Sequence, residues 1–156
     1  MELNQNILSQ HNQLYTYSCI PMSIELVLKL IGKISVTDFT LQQQWQNKSD
    51  GNFSDFDGKT IEQVEFKKRF GLARDENFPL QDLFDCIDKE LDEERYVIIS
   101  LANPYGWHNY VIYGKNFNNG EYYAVSKDVQ GNDLLLSDVK AKVTQMKGTD
   151  ILTYSI

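Results

Sequence analysis

The sequence predicts an α+β fold in which a helical N-terminal half is followed by an antiparallel sheet. Before about residue 94, apolar residues recur at three- and four-residue intervals, a period typical of helices. Beyond residue 94 they occur in short runs rich in β-branched and aromatic residues, which are typical of strands. The 156 residues, 42% of them hydrophobic, suffice for one well-packed core. We therefore expect a single domain over 1–156, helical over about 1–94 and sheet over about 95–156.

The first long helix is predicted to begin at Cys19 and to end at Gly32. Its apolar side chains cover most of its circumference, so we expect it to be central and buried. Ser18 is the predicted N-cap. Pro21 then falls in the first turn, where a missing N–H costs nothing because first-turn amides have no partner within the helix.

Two further helices are predicted in the first half, over 59–70 and over 80–92. The first of these should stop at Gly71, and the second carries an inner apolar stripe. Between the long helix and residue 59, the segment 42–58 is rich in Asn, Asp and Ser and is predicted to be a polar loop.

The second half is predicted to be a meander of strands over 96–101, 108–113 and 121–128. The sequence FNNG lies between the last two and indicates a hairpin turn. A short helix from Asp138, capped by Ser137, and a strand over 151–154 are expected to follow.

Charge and composition exclude several classes of partner. The net charge is −7 and the basic residues are scattered, so we expect no direct nucleic-acid binding. No apolar run approaches the ~20 residues of a membrane span, and the first residues lack a charged leader followed by an apolar region. We expect a cytoplasmic chain, or a domain delivered into the cytoplasm of a target cell as part of a larger secreted effector.

Cys19 is the candidate nucleophile, because it falls in the first turn of a helix after a polar lead-in. A free cysteine, with a pKa of about 8.5, is mostly protonated at neutral pH, and a helix terminus contributes about 2 kcal/mol at best. A reactive thiolate therefore needs a cationic partner, most naturally an imidazolium. The chain has two histidines, and His108, which opens a strand, is a more rigid platform for a base than His11 in the irregular lead-in.

The motifs QLYTYSCIP and WHNYVIYG, followed by a strand that ends in Asp128, resemble the papain-like cysteine peptidases. Within that group the chain is most similar to the bacterial branch that trims bacteriocin leader peptides. The resemblance implies Cys19 as nucleophile, His108 as general base and then acid, Asp128 as the residue that orients the imidazole, and Gln13 as an oxyanion-hole donor.

The sequence departs from that family at two positions. Ile20 follows the nucleophile where many relatives have glycine, and the usual Asp-Pro after the third strand is replaced by KDVQG. Asp133 and Asp138 are the alternatives to Asp128.

No cofactor is expected. His11, Cys19, Cys86 and His108 are too widely separated to form a typical zinc motif, and no glycine-rich phosphate loop is present. With only two cysteines, 67 positions apart (86 − 19), we expect reduced thiols rather than a disulfide scaffold, and Cys86 should be structural.

The predicted activity is peptide-bond cleavage in a protein substrate through a thioester on Cys19. The same residues would serve a glutamine deamidase or a transglutaminase-like acyl transferase. A catalytically silent peptide-binding module is the alternative of a different class. If the domain is the toxic part of a bacterial effector, a cognate inhibitor protein is expected. Substrate choice should depend on the loops 42–58 and 102–107.

Overall fold

The computed structural model describes residues 1–46, 48, 51–104 and 106–156. Seven strands form one sheet: Thr60–Ile61 (β1), Val64–Arg69 (β2), Val97–Asn103 (β3), Gly106–Lys115 (β4), Tyr122–Lys127 (β5), Asp133–Leu136 (β6) and Ile151–Ser155 (β7). The helices are Gln5–Ser9 (α1), Cys19–Leu30 (α2), Thr40–Gln44 (α3), Leu80–Asp92 (α4) and Val139–Gln145 (α5). Helices and an antiparallel sheet in one chain confirm the α+β class.

The sheet has the strand order β1-β2-β7-β3-β4-β5-β6, and its pairs are antiparallel. The strand β7 therefore joins two parts of the chain that are far apart in sequence. On one side it pairs with β2, where Leu152 lies opposite Lys68, and on the other with β3, where Leu152 lies opposite Ile98.

Side chains alternate between the two faces of the sheet, and each face is covered by different helices. On the α2 face, Ile98, Val111 and Val125 join one hydrophobic core with side chains of α2. On the α4 face, Ile99 and Ile112 join a second core with α4 and α5. The alternation decides which residues of β4 can reach the start of α2.

The long helix α2 begins at Cys19, with Ser18 at the N-cap position, and its side chains are buried on nearly every side. These predictions are confirmed. Its last turn is closed by Gly32, whose φ of 76° is a left-handed conformation that favours glycine. The N–H of Lys33 then donates to the carbonyl of Leu28 at 2.8 Å, which satisfies one of the free carbonyls at the helix end.

The predicted helix over 59–70 is wrong, because this segment forms the hairpin of β1 and β2. Val64 and Phe66 are buried while Glu65 between them is exposed, a period of two rather than of three or four. The turn consists of Glu62 and Gln63, both with positive φ, as a two-residue hairpin requires. Two strands of the sheet therefore come from the half that was predicted to be helical.

The segment 42–58, predicted to be a polar loop, is more structured than expected. Its first residues belong to α3, and Phe53–Asp55 forms a 3₁₀ turn. Phe53 and Phe56 are buried in the core of the α2 face. Residues 47, 49 and 50 of this segment lie outside the described residues.

The other predicted elements are found close to their expected bounds. The bounds of α4 are those predicted, and β3, β4, β5 and β7 overlap the four predicted strands. The helix α1 and the edge strand β6 have no counterpart in the prediction. The last helix starts one residue later than expected, with Asp138 rather than Ser137 at the N-cap, and without a side-chain cap bond. Within the described ranges, no helix combines the length and apolar character needed to cross a bilayer.

Candidate functional site

Cys19 is half-buried at the first position of α2 and lines a cleft of about 410 Å³. The cleft lies on the α2 face, between the start of α2 and the end of the hairpin formed by β3 and β4. Trp107, which is 50% exposed, forms part of its wall, with the guanidinium of Arg74 stacked 4.1 Å from the ring centroid. A thiol at a helix N-terminus therefore faces an open space with aromatic, polar and charged walls.

The contact described for the thiol is with Asn109, which is buried on β4. Its side-chain Nδ2 donates to the Sγ of Cys19 at 3.0 Å. Its Oδ1 accepts from the hydroxyl of Ser100, directly opposite on β3, at 2.7 Å. The hydroxyl of Thr149 in turn donates to the Ser100 carbonyl at 2.6 Å. Hydrogen bonds at both ends thus hold the Asn109 amide between Ser100 and the thiol.

His108 lies on the other face of the sheet from this contact. Consecutive residues of a strand point to opposite faces, and Asn109 occupies the position that faces α2. The His108 ring packs edge-on against Tyr110, which belongs to the α4-face core. Its Nε2 lies 2.8 Å from the Oγ of Ser126. In this geometry the structure does not bring the predicted base to the predicted nucleophile.

The imidazole of His108 is held as a neutral group. Burial lowers the pKa of His108, and the backbone of Lys127 and the charge of Asp128 oppose that shift without reversing it. The Ser126 hydroxyl donates to the carbonyl of Asn109 at 2.6 Å, so its oxygen accepts from His108 and the ring proton is on Nε2. A neutral ring is the form that can accept a proton.

Asp128 follows β5 and is close enough to His108 for its charge to act on the pKa of that imidazole, in the direction that raises it. Its own carboxylate is occupied by the turn that follows. One oxygen accepts from the N–H groups of Gln130 and Asn132, and the other from the Asn132 side chain. Desolvation raises the pKa of Asp128, but the bonds from Asn132 and Gln130 outweigh it and lower the pKa overall.

The two alternatives to Asp128 have other partners. Asp133 pairs with the buried ammonium of Lys127. Asp138 is at the N-cap position of α5 and lies 3.6 Å from Lys142.

Gln13 is buried in the lead-in to α2, close to Asp128, whose carbonyl lies 3.4 Å from the Gln13 backbone nitrogen. Its side-chain Nε2 lies 2.7 Å from the carbonyl of Tyr15 and 3.2 Å from that of Thr16. A side-chain amide has two N–H donors, and both are directed at the backbone here. In this geometry Gln13 supports the loop and does not offer a donor to the cleft.

Gln42 holds the same lead-in through hydrogen bonds from α3, and sequence reasoning missed it. It is fully buried on α3, where its Oε1 accepts from the N–H of Leu14 at 2.7 Å and from the hydroxyl of Ser18 at 2.8 Å. Its Nε2 donates to the carbonyl of Asn12 at 2.9 Å. Three bonds from one side chain fix the loop that delivers Cys19 to the cleft.

His11 belongs to a buried polar cluster behind α2. Its Nδ1 accepts from the ammonium of Lys29 at 2.9 Å, and its Nε2 donates to the carbonyl of Met22 at 2.8 Å. Burial, followed by the charge of Lys29, lowers the pKa of His11 to about 3. Both ring nitrogens are engaged within this cluster, so His11 is structural rather than a base for Cys19.

Sequence reasoning also missed Asn109 and Ser100. The available signal was alternation: in HNYVIYG, the residues at 109, 111 and 113 share a face, and a polar residue at the start of an otherwise apolar inward row is unusual. Alternation alone does not show whether the His108 side chain lies on the α2 face or on the α4 face.

The second cysteine and the remaining acidic groups form no further centre. Cys86 is half-buried on α4 beside the α4-face core, and burial raises the pKa of its thiol. Among residues 1–46, 48, 51–104 and 106–156, no group of three His, Cys, Asp or Glu side chains is arranged to hold a metal ion.

No protein-family model matches the chain, and no curated protein matches it.

Proposed function

We propose that this chain is a papain-like cysteine hydrolase that cleaves a peptide bond in a protein substrate through a thioester on Cys19. The observation that carries the proposal is the position of the thiol: Sγ faces the cleft from the first turn of α2 and accepts a hydrogen bond from the buried amide of Asn109. Both cysteines pack beside a hydrophobic core, but Cys19 in addition lines the cleft and accepts this bond.

The position of Cys19 favours the thiolate, which is the nucleophilic form. The N-terminus of a 12-residue helix carries a partial positive charge, and an anion in the first turn is stabilised by it. An N–H donor directed at sulfur acts in the same direction, because it bonds the charged form more strongly than the neutral one.

The proposed reaction has two steps. The Cys19 sulfur, having given its proton to the base, attacks the amide carbonyl, a C–S bond forms, and the C–N bond breaks as the base returns the proton to the leaving amine. Water then gives a proton to the base and attacks the thioester, so that the C–S bond breaks and the acid and the free thiol are released.

His108 is the proposed base, and it must change partners to act. Its neutral ring can accept a proton, but it is bonded to Ser126 on the α4 face. Gly106, two residues before it, has a φ of 127° that other residues rarely adopt. We propose that the first residues of β4 rearrange when substrate enters the cleft, so that the His108 ring replaces the Asn109 side chain beside Cys19.

The walls of the cleft suit an extended peptide. Trp107 offers an exposed aromatic surface, and Arg74 and Asp150 place opposite charges at the rim. A glutamine side chain presented to the same thiol would be deamidated, or transferred to an amine, by the same chemistry. The amide that is presented, backbone or side-chain, separates peptide cleavage from deamidation, and the acceptor of the acyl group, water or an amine, separates deamidation from transfer.

The experiment compares the wild-type chain with Cys19→Ala and with Cys86→Ala as the matched control. Each is incubated at neutral pH with a peptide library and a primary amine, and products are identified by mass spectrometry. New peptide termini indicate hydrolysis, conversion of Gln to Glu indicates deamidation, and amine adducts indicate transfer. We expect new termini with the wild type and Cys86→Ala and none with Cys19→Ala. Termini that persist in Cys19→Ala contradict the proposal.

A peptide-binding module is the second candidate, and the separation of His108 from the thiol favours it. In that case the cleft holds a peptide and no bond is broken. Binding of a library peptide by both the wild type and Cys19→Ala, with no product from either, would support this candidate.

We further propose that the domain acts as part of a bacterial effector and has a cognate inhibitor protein that covers the cleft. Expression of the domain in bacterial cytoplasm should arrest growth, and Cys19→Ala should relieve the arrest. Growth that is equal for the two chains contradicts this proposal.

A further inference from the structure

We infer that Asn109 is a catalytic residue: its side-chain N–H stabilises the charge on the Cys19 sulfur before attack. The inference rests on the proposed function, in which Cys19 is the nucleophile. It adds a group that touches the reacting atom and that the predicted site of Cys19, His108, Asp128 and Gln13 does not contain.

The contact has the geometry of a directed donor. Nδ2 of Asn109 lies 3.0 Å from Sγ, which is short for a hydrogen bond to sulfur, and Asn109 is only 4% exposed. A buried amide that points its N–H at sulfur stabilises a thiolate more than a thiol, since a bond to an ionised acceptor is about twice as strong.

The other end of the amide is engaged as well. Oδ1 accepts from the hydroxyl of Ser100 at 2.7 Å, while Nδ2 is directed at sulfur. The backbone of Ser100 is itself held by the hydroxyl of Thr149 at 2.6 Å. In the geometry described, the pairing of β3 with β4 therefore already directs the donor at sulfur before substrate enters the cleft.

The role of Asn109 differs from the one that the resemblance implies for Gln13. Gln13 is expected to donate to the oxyanion of the substrate, but its two N–H donors are directed at the carbonyls of Tyr15 and Thr16. Asn109, 96 positions further along (109 − 13), donates to the sulfur itself.

The experiment measures the rate of iodoacetamide alkylation at each cysteine against pH, from about pH 5 to 10, by peptide mass spectrometry. The variants are Asn109→Ala, Asn109→Asp and Ser100→Ala. Cys86 in the same molecule is the internal control, and thermal unfolding of each variant checks that it folds.

We expect the midpoint of the Cys19 curve to move upward by about one pH unit in Asn109→Ala, so that labelling at pH 6 slows about tenfold. Asn109→Asp keeps the shape of the side chain but adds a negative charge, so its shift should be larger. Ser100→Ala should shift the midpoint in the same direction by less, while the Cys86 curve stays unchanged.

A folded Asn109→Ala variant whose Cys19 curve coincides with the wild-type curve overturns the inference. If Asn109 is only structural, its replacement changes the labelling rate of Cys19 equally at every pH and leaves the midpoint in place. That result also overturns the inference. Because alkylation needs no substrate, this outcome is distinct from failure of the proposed function, which is tested by the products of Cys19→Ala.

Discussion

At the scale of single residues, the buried cluster around His11 makes stability depend on pH. The folded state holds His11 neutral, with its pKa lowered to about 3 by burial and by Lys29, whereas the unfolded state binds a proton near the ordinary value of 6.5. As the pH falls from 6.5 to 3, the unfolded state takes up the proton first, so stability is lost across this window.

Glu25 opposes this loss over part of the range. Burial raises the pKa of Glu25 to about 7, above the 4.5 of the ordinary group. The folded state therefore binds this proton first, and stability rises as the pH falls from 7 to 4.5. Between 6.5 and 4.5 the two groups offset each other, and below 4.5 only the loss due to His11 remains.

We predict that, as the pH is lowered from 6.5 to 3, the free energy of unfolding falls by roughly 4 kcal/mol more in the wild type than in His11→Gln. The glutamine amide can replace both hydrogen bonds of the ring but does not titrate. Urea unfolding of the wild type and the variant at several pH values in this window gives the slope of the free energy of unfolding against pH. The two slopes can be compared whatever the difference in stability at neutral pH. Parallel curves for the two chains would contradict the prediction.

Single residues also show where the sequence suffices for the site and where it does not. The polar lead-in, the N-cap and Pro21 are local signals, and they placed Cys19 at the start of α2 correctly. Whether His108 or Asn109 faces α2 depends on the register of β4 against β3, and a shift of one residue exchanges the two. That register is set by packing across the whole sheet, which no local pattern contains.

At the scale of elements, the hairpin of β1 and β2 explains the error over 59–70. Its turn residues are Glu62 and Gln63, which carry none of the usual sequence signals for positive φ, such as Asn-Gly. Ile61 and Val64 are three positions apart, as on one face of a helix, and the pairing of β2 with β7 stabilises the strand instead. Tertiary contacts override the local preference here.

We predict that Gln63→Gly stabilises the protein by about 1 kcal/mol, because glycine adopts the positive φ of this turn without strain. The matched control is Glu65→Gly in the exposed row of β2, which should destabilise by a similar amount. Urea unfolding at neutral pH measures both. A loss of stability in Gln63→Gly would contradict the assignment of the turn.

At the scale of the whole molecule, β7 should make unfolding cooperative. It pairs with β2 on one side and β3 on the other, and Leu152 is fully buried between them in the α2-face core. Local signals predicted both this strand and the α+β class. The order of strands joins residues more than 80 positions apart, and sequence periodicity carries no such information.

We predict that Leu152→Ala costs about 2–5 kcal/mol and that the whole sheet still unfolds in one transition. The control is Leu135→Ala on the edge strand β6, where the side chain is 62% exposed and the cost should be below about 0.5 kcal/mol. Far-ultraviolet circular dichroism and tryptophan fluorescence should report the same midpoint. Separate midpoints for the two probes would indicate two folding units and contradict the single domain.

The central place of β7 has a consequence for synthesis of the protein in the cell. Of the seven strands, it leaves the ribosome last, so until then β2 and β3 each present an unpaired edge, and the first hairpin has no neighbour. The nascent chain is exposed to aggregation and chaperone capture during that interval. The hairpin that carries Asn109 borders this gap, and Thr149, whose hydroxyl bonds the Ser100 carbonyl, lies just before β7, so the contacts around the thiol are completed only when the last strand has emerged.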